Sequence, residues 1–207
     1  MIVTSAVYRQ SVRHDASFSA IDGDNQYLWR QNRRRLDAES VHDAILAVAG
    51  RLDHRMGGPS VQQFSLRRGV HVTPVVDYSQ YDWNSKGSCR RGVYRFVFRT
   101  IPDPFFDALD AADASQLTAV RNESITPLQA LELLNSPFVL RQSEALAQGL
   151  ENACDSVDGQ IRRALELAYG RCARSEEISA LRPYAVRHGL ANLCRLIFNS
   201  NEFLFVN

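Results

Sequence analysis

Residues 126–170 read TPLQALELLNSPFVLRQSEALAQGLENACDSVDGQIRRALELAYG, and this stretch decides the fold. Thr126-Pro127-Leu128-Gln129 is a capping box with proline at the first helical position. Leu128, Leu131 and Leu134 recur at helical spacing and predict the apolar face of that helix. Asn135-Ser136-Pro137 interrupts the pattern. Ser136 can cap a second helix that opens on Pro137 and carries Val139, Leu140, Ala145 and Leu150. Ser156 predicts a third helix start, with Ile161, Ala164, Leu165 and Ala168 inward and Gly170 as terminator.

The pattern continues to the end of the chain. Ser175, followed by Glu176 and Glu177, opens a fourth helix, because acidic residues suit the positive end of the helix dipole. Pro183 is expected to bend it. Leu190, Leu193, Cys194 and Ile197 stripe a fifth. Short connections between such helices predict a bundle over residues 126–207.

Upstream, residues 1–125 read as N-terminal helices plus an irregular loop region, packed with the bundle as one unit. Asp37 suits an N-cap, with Leu36 and Val41 placed as a hydrophobic staple. Val41, Ala44, Ile45, Val48 and Leu52 form an i, i+3, i+4, i+7 stripe ending at Gly50 or Leu52. Residues 16–27 read as a polar loop. VHVTPVVDY at 70–78 is β-branched, but Pro74 demotes it to an edge strand or extended loop. Arg90–Ile101 alternates like a strand and also fits three helical turns. Residues 103–117 read as extended chain and turns. Ile2, Val3 and Ala6 are apolar at helical spacing from the start, which suggests either a frayed terminus or the end of a helix that begins outside this chain.

The expected fold is therefore mainly α: an orthogonal helical assembly with a long irregular central loop and room for a short β-hairpin.

Composition narrows function by exclusion. Among 207 residues, 24 basic side chains face 23 acidic ones, for a net charge of +1, so a nucleic-acid binder's positive excess is absent. No apolar run is long enough to cross a bilayer. The four cysteines form no CxxC pair, and the histidines form no HExxH, so no metal site is expected; His42-Asp43 lacks a second histidine at useful spacing. All basic residues but Lys86 are arginine. Arginine grips carboxylates in planar, bidentate fashion.

Two polar sets are candidates for chemistry. The first is Arg30, Arg33, Arg34 and Arg35 with Asp37 and Glu39, read either as an anion site or as structural ion pairs. Consecutive arginines must point in different directions. The second runs from Arg90, Arg91 and Arg99 through Asp103, Asp107, Asp110 and Asp113 to Arg121 and Asn122. It offers either acid–base carboxylates or tethers for irregular chain. An enzyme reading requires Arg91, Asp110 and Arg121 to converge in one pocket. Tyr78, Tyr81 and Trp83 either stack on a ligand or anchor their own loop.

Several stretches, in order, resemble one family: NRRRLDAESVHDAIL, GGPS, CRRGVYRFVFRTIPDPFFDALDAADASQ, RNESITPLQALELLNSPFVLRQSE, RRALELAYGR and LCRLIFNSNEFLFVN. The chain resembles the C-terminal domain of unknown function found in large planctomycete proteins. There it follows a second uncharacterised domain and often a planctomycete-type cytochrome c domain. Arg90, Arg91, Tyr94, Phe96 and Arg99 match the family's RRS-Y-F--R segment, with Gly92 in place of the usual serine. The resemblance implies a helical rather than extended Arg90–Ile101 and a straight helix where this chain has Pro183. It further implies an exported, cell-envelope protein, other domains of the same protein as partners, and haem only in a separate upstream domain. On this reading the chain is a non-catalytic accessory domain with no cofactor, nucleic acid or membrane insertion of its own. The alternative is part of a hydrolase-like or redox-linked enzyme with an Arg/Asp site.

Overall fold

A computed structural model describes residues 2–69, 74–113 and 116–206. Positions 70–73 of the expected edge strand and 114–115 of the expected extended segment lie outside them. Among the described residues the fold is mainly α. In chain order the helices are α1 (Ala16–Ile21), α2 (Ala38–Val48), α3 (Pro104–Ala108), α4 (Pro127–Asn135), α5 (Pro137–Ala153), α6 (Val157–Tyr169), α7 (Ser175–His188), α8 (Leu190–Phe198) and α9 (Asn201–Leu204). Four short strands accompany them: β1 (Arg34–Arg35), β2 (Ser65–Arg67), β3 (Val75–Asp77) and β4 (Phe205–Val206).

The helix starts follow their caps. The Thr126 side chain accepts from Gln129 N, and the Gln129 side chain accepts from Thr126 N, closing the box. Asp37 accepts from Ser40 N at 2.7 Å. Ser156 accepts from Gly159 N at 3.2 Å. Gly170 stops α6 with φ +66°, a left-handed conformation that costs a residue with a Cβ about 1 kcal/mol or more.

α5 and α8 form the centre. α5 buries Phe138, Val139, Leu146, Ala147 and Leu150; α8 buries Leu190, Leu193, Cys194, Ile197 and Phe198. One buried cluster joins them to Ala38, Val41, Ile45 and Leu46 of α2 and to Phe105 and Leu109. Burial in this apolar layer pushes the Cys194 thiol up to about 12, so it packs as a small hydrophobe. Near the C-terminus β4 returns to β1 in an antiparallel pair, with Arg34 opposite Val206 and Arg35 opposite Phe205. β2 and β3 make the small hairpin, Leu66 opposite Val76.

Several local expectations are corrected. Residues 16–21 are helical because Asp15 caps them, accepting from Ser17 N at 2.8 Å. Asp103 does the same for α3, with Pro104 at its first position, where extended chain was expected. The buried face of α4 is Gln129 and Leu133, while Leu128 and Leu131 are exposed. That helix lies at the edge of the cluster and presents a narrow stripe. The cap of α7 is Arg174, whose N–H donates to Glu177 at 2.8 Å; Ser175 is already helical. The helix runs through Pro183 to His188 without a break. Ile2–Thr4 is a single exposed 3₁₀ turn rather than the end of an α-helix.

Arg90–Ile101 is neither strand nor α-helix. It forms one 3₁₀ turn at Gly92–Tyr94 and bridges the 53–61 segment at only two points, Asp53–Arg90 and Val61–Arg95. The reason lies in its contacts. Gly92 sits against α2 so closely that an added Cβ would meet Phe106 at 3.2 Å and Glu39 Cα at 3.3 Å. Side chains, not a ladder, hold this segment in place.

Candidate functional site

The segment is held by a polar chain that starts on α2. His42 is fully buried and stacks on Phe138, with ring centroids 4.5 Å apart. Its Nδ1 lies 3.0 Å from Asp43 Oδ1 and its Nε2 lies 3.3 Å from Arg95 Nη1. A guanidinium can only donate, so Nε2 accepts and Nδ1–H donates to Asp43. Asp43 also accepts from Gly92 N at 2.6 Å and from Arg91 Nε at 3.2 Å.

Arg95 then donates to Asp103 at 2.5 Å, with both side chains about nine-tenths buried. Its guanidinium lies over Trp83 and Phe106, at 5.3 and 5.1 Å from the ring centres. Asp103 also caps α3, and it accepts from Gln63 Nε2 at 3.2 Å. Gln63 closes the chain on Phe96, donating to its carbonyl and accepting from its N–H. Each irregular strand of chain is thus sewn to a helix by a charged hydrogen bond.

Titration follows from these partners. Burial lowers the His42 pKa, and the Arg95 charge lowers it further, against the raising effect of Asp43. Burial alone would raise Asp43, but hydrogen bonds from His42, Gly92 and Arg91 outweigh it and hold the carboxyl below its ordinary range.

The predicted site residues divide between several places. Arg35 turns inward and donates to Asp110 at 2.8 Å and to the Leu109 carbonyl at 3.2 Å. Asp110 has φ +58°, so it ends α3 in the left-handed conformation without a glycine. Its carboxylate also accepts from Ser124 and Gln129. Arg33 lies over Phe205 at 4.6 Å. Arg34 is exposed on β1, and Asn122 is exposed. Arg90 lies over Tyr94 at 3.9 Å and donates to the Gly57 carbonyl. Asp37 caps α2.

Arg91 and Arg121 do share a cleft along α2. Arg121 is bidentate to Glu39, at 2.6 and 2.9 Å, and Arg91 is on Asp43. Asp110 is elsewhere, on Arg35, so the three residues that the enzyme reading needs do not converge. Arg99 lines a different, aromatic cleft with Phe96, Phe98, Phe106, Asp103 and Asp107. Tyr81 and Trp83 anchor their own loop: Tyr81 packs edge-on against Trp83, which packs on Phe138. Tyr78 donates to the Ile101 carbonyl at 2.7 Å.

Sequence reasoning missed Gln63 and the role of His42. The Asp103-Pro104 pair was a readable cap signal. Nothing local marks Gln63, whose partners are 33 and 40 residues away. Among the described residues no group of three or more His, Cys, Asp or Glu side chains could hold a metal ion. Nor is any helix long and apolar enough to cross a membrane.

Fold and site together define a mainly α domain whose irregular central segment is tied to a helical core by buried charge. The chain belongs to the family described as PSD1, protein of unknown function (DUF1553), whose model matches residues 1–185. No curated protein and no solved structure matches it.

Proposed function

We propose that the chain is a non-catalytic accessory and interaction domain, the C-terminal portion of a larger exported planctomycete-type protein, docking against other domains of the same polypeptide. The observation that supports this reading is the engagement of its candidate chemical groups with one another. Asp110 is taken up by Arg35, Ser124 and Gln129, Asp103 by Arg95 and Gln63, and Glu39 by Arg121. His42 has both ring nitrogens bonded and no exposed surface. A general acid or base must reach the proton it transfers.

A surface for docking lies beside the pairing of β1 with β4. Ile2, Val3, Val7 and Tyr8 are exposed, and Tyr8 lines a cleft with Arg34, Val120 and Val206. Exposed apolar side chains gathered around a charged rim favour a protein partner. In this reading the arginines near residue 30 do not read nucleic acid: Arg30 lies over Trp29, Arg33 over Phe205, and Arg35 faces inward.

The test is a titration of this chain with the separately produced neighbouring domains of a longer protein that carries it, followed by calorimetry. A stoichiometric complex weakened by Val206→Asp and by Val3→Asp is expected. Absence of a complex at the highest attainable concentrations, or a complex indifferent to both substitutions, would overturn the proposal. Steeply salt-dependent binding to DNA or RNA would overturn its exclusion of nucleic acid.

A further inference from the structure

The aromatic cleft beside the polar chain has a volume of about 580 Å³, within the range of small-molecule sites. Its walls are set before any ligand arrives. The buried ring of Phe64 holds Phe96 and Phe98 edge-on, at 5.6 and 5.5 Å, while both rings still line the cleft. The Arg95 guanidinium lies over the Phe106 ring, 5.1 Å from its centre. The aromatic surface is therefore preorganised, which lowers the entropy a ligand must lose on binding.

Charge selects the ligand. Glu39, Asp103, Asp107 and Asp113 line this cleft with Arg95 and Arg99, and Glu39 is already held by Arg121. Arg95 and Asp103 neutralise each other. The Asp107 side chain is different: its carboxylate has no ion-pair or hydrogen-bond partner among the described residues. An unpaired carboxylate beside phenyl faces attracts a cation twice, by direct charge and by the ring quadrupoles. An anion meets repulsion from both.

We propose that this cleft binds a small organic cation with an apolar body, an aryl-alkyl ammonium in size and kind, its ammonium on Asp107 and its body against Phe96 and Phe98. The site is independent of the docking reading, since none of its named residues lies on the surface around Arg34 and Val206.

Protonated phenethylamine is the probe, with 2-phenylethanol and 3-phenylpropionate as neutral and anionic counterparts of similar shape. Amide shifts of the intact chain are followed by NMR during titration. Saturable shifts at Phe96, Phe98 and Asp107 are expected for the amine, with the alcohol weaker and the carboxylate weaker by about tenfold or more. Asp107→Asn, on an exposed side chain, should lower amine affinity about fivefold, with only a small drop in the thermal midpoint from the loss of an acidic group in the first turn of α3. Phe96→Leu should weaken it while keeping apolar contact. Carboxylate binding as tight as the amine's, amine binding unchanged in Asp107→Asn, or no saturable shift in this cleft would each overturn the proposal. A complex with neighbouring domains, present or absent, bears only on the docking reading.

Discussion

Arg95 donates to Nε2 of His42 from 3.3 Å, and that one contact sets the tautomer of a fully buried imidazole. The ring must stay neutral for the contact to persist, because a protonated Nε2 would point its hydrogen at a guanidinium. One histidine on α2 thereby fixes the position of a segment 53 residues further on.

Acid should loosen this arrangement. The folded-state pKa of His42 is below its unfolded value of about 6.5, so the unfolded chain binds more protons in that window. The stability that neutral His42 contributes is complete above about pH 6.5 and declines as pH falls toward its folded pKa. Asp43, also depressed, adds a loss in the same direction at lower pH. Urea midpoints measured from about pH 7 down to about pH 5 should fall for the natural chain. His42→Gln, less stable throughout, should give a flatter profile over that interval. Parallel profiles for the two would refute the assignment.

Asp103 combines a cap, an ion pair and a bond to Gln63. Asp103→Ala leaves the buried Arg95 charge unpaired and should cost about 3–5 kcal/mol in equilibrium unfolding. Asp103→Asn keeps a capping oxygen and should cost less than the alanine. Equal losses would show that the capping oxygen contributes little beside the charge pair.

Phe138 meets His42, Phe105 and Trp83 in the heart of the cluster. Phe138→Ala should cost about 3–5 kcal/mol by removing buried area and leaving a cavity. It should also release the 81–83 loop, seen as faster amide exchange there. Unchanged exchange at Trp83 would show that the loop is held from elsewhere.

Two glycines should answer alanine in opposite directions. Gly149 is exposed within α5 with open space around its missing Cβ, so Gly149→Ala should stabilise by about 0.5–1 kcal/mol. Gly170 also has open space but φ +66°, so Gly170→Ala should destabilise by about 1–2 kcal/mol. Thermal melts distinguish the two; a shift of the same sign at both positions would contradict the conformations assigned.

The sequence by itself determined the helical bundle. Thr126, Ser156, Gly170 and the stripe Leu190, Leu193, Cys194, Ile197 act over three to seven residues, so their signals are written in neighbouring positions. It also determined that arginine would grip carboxylates, since few other cations were present. Tertiary structure decided which arginine met which acid. His42 and Arg95, Gln63 and Asp103, Arg35 and Asp110 are 53, 40 and 75 residues apart. No local pattern encodes such pairs, because they depend on how chain of irregular conformation lies against the core. The same holds for Leu128 and Leu131, apolar at helical spacing yet exposed, since a period gives a face and only packing says whether anything covers it.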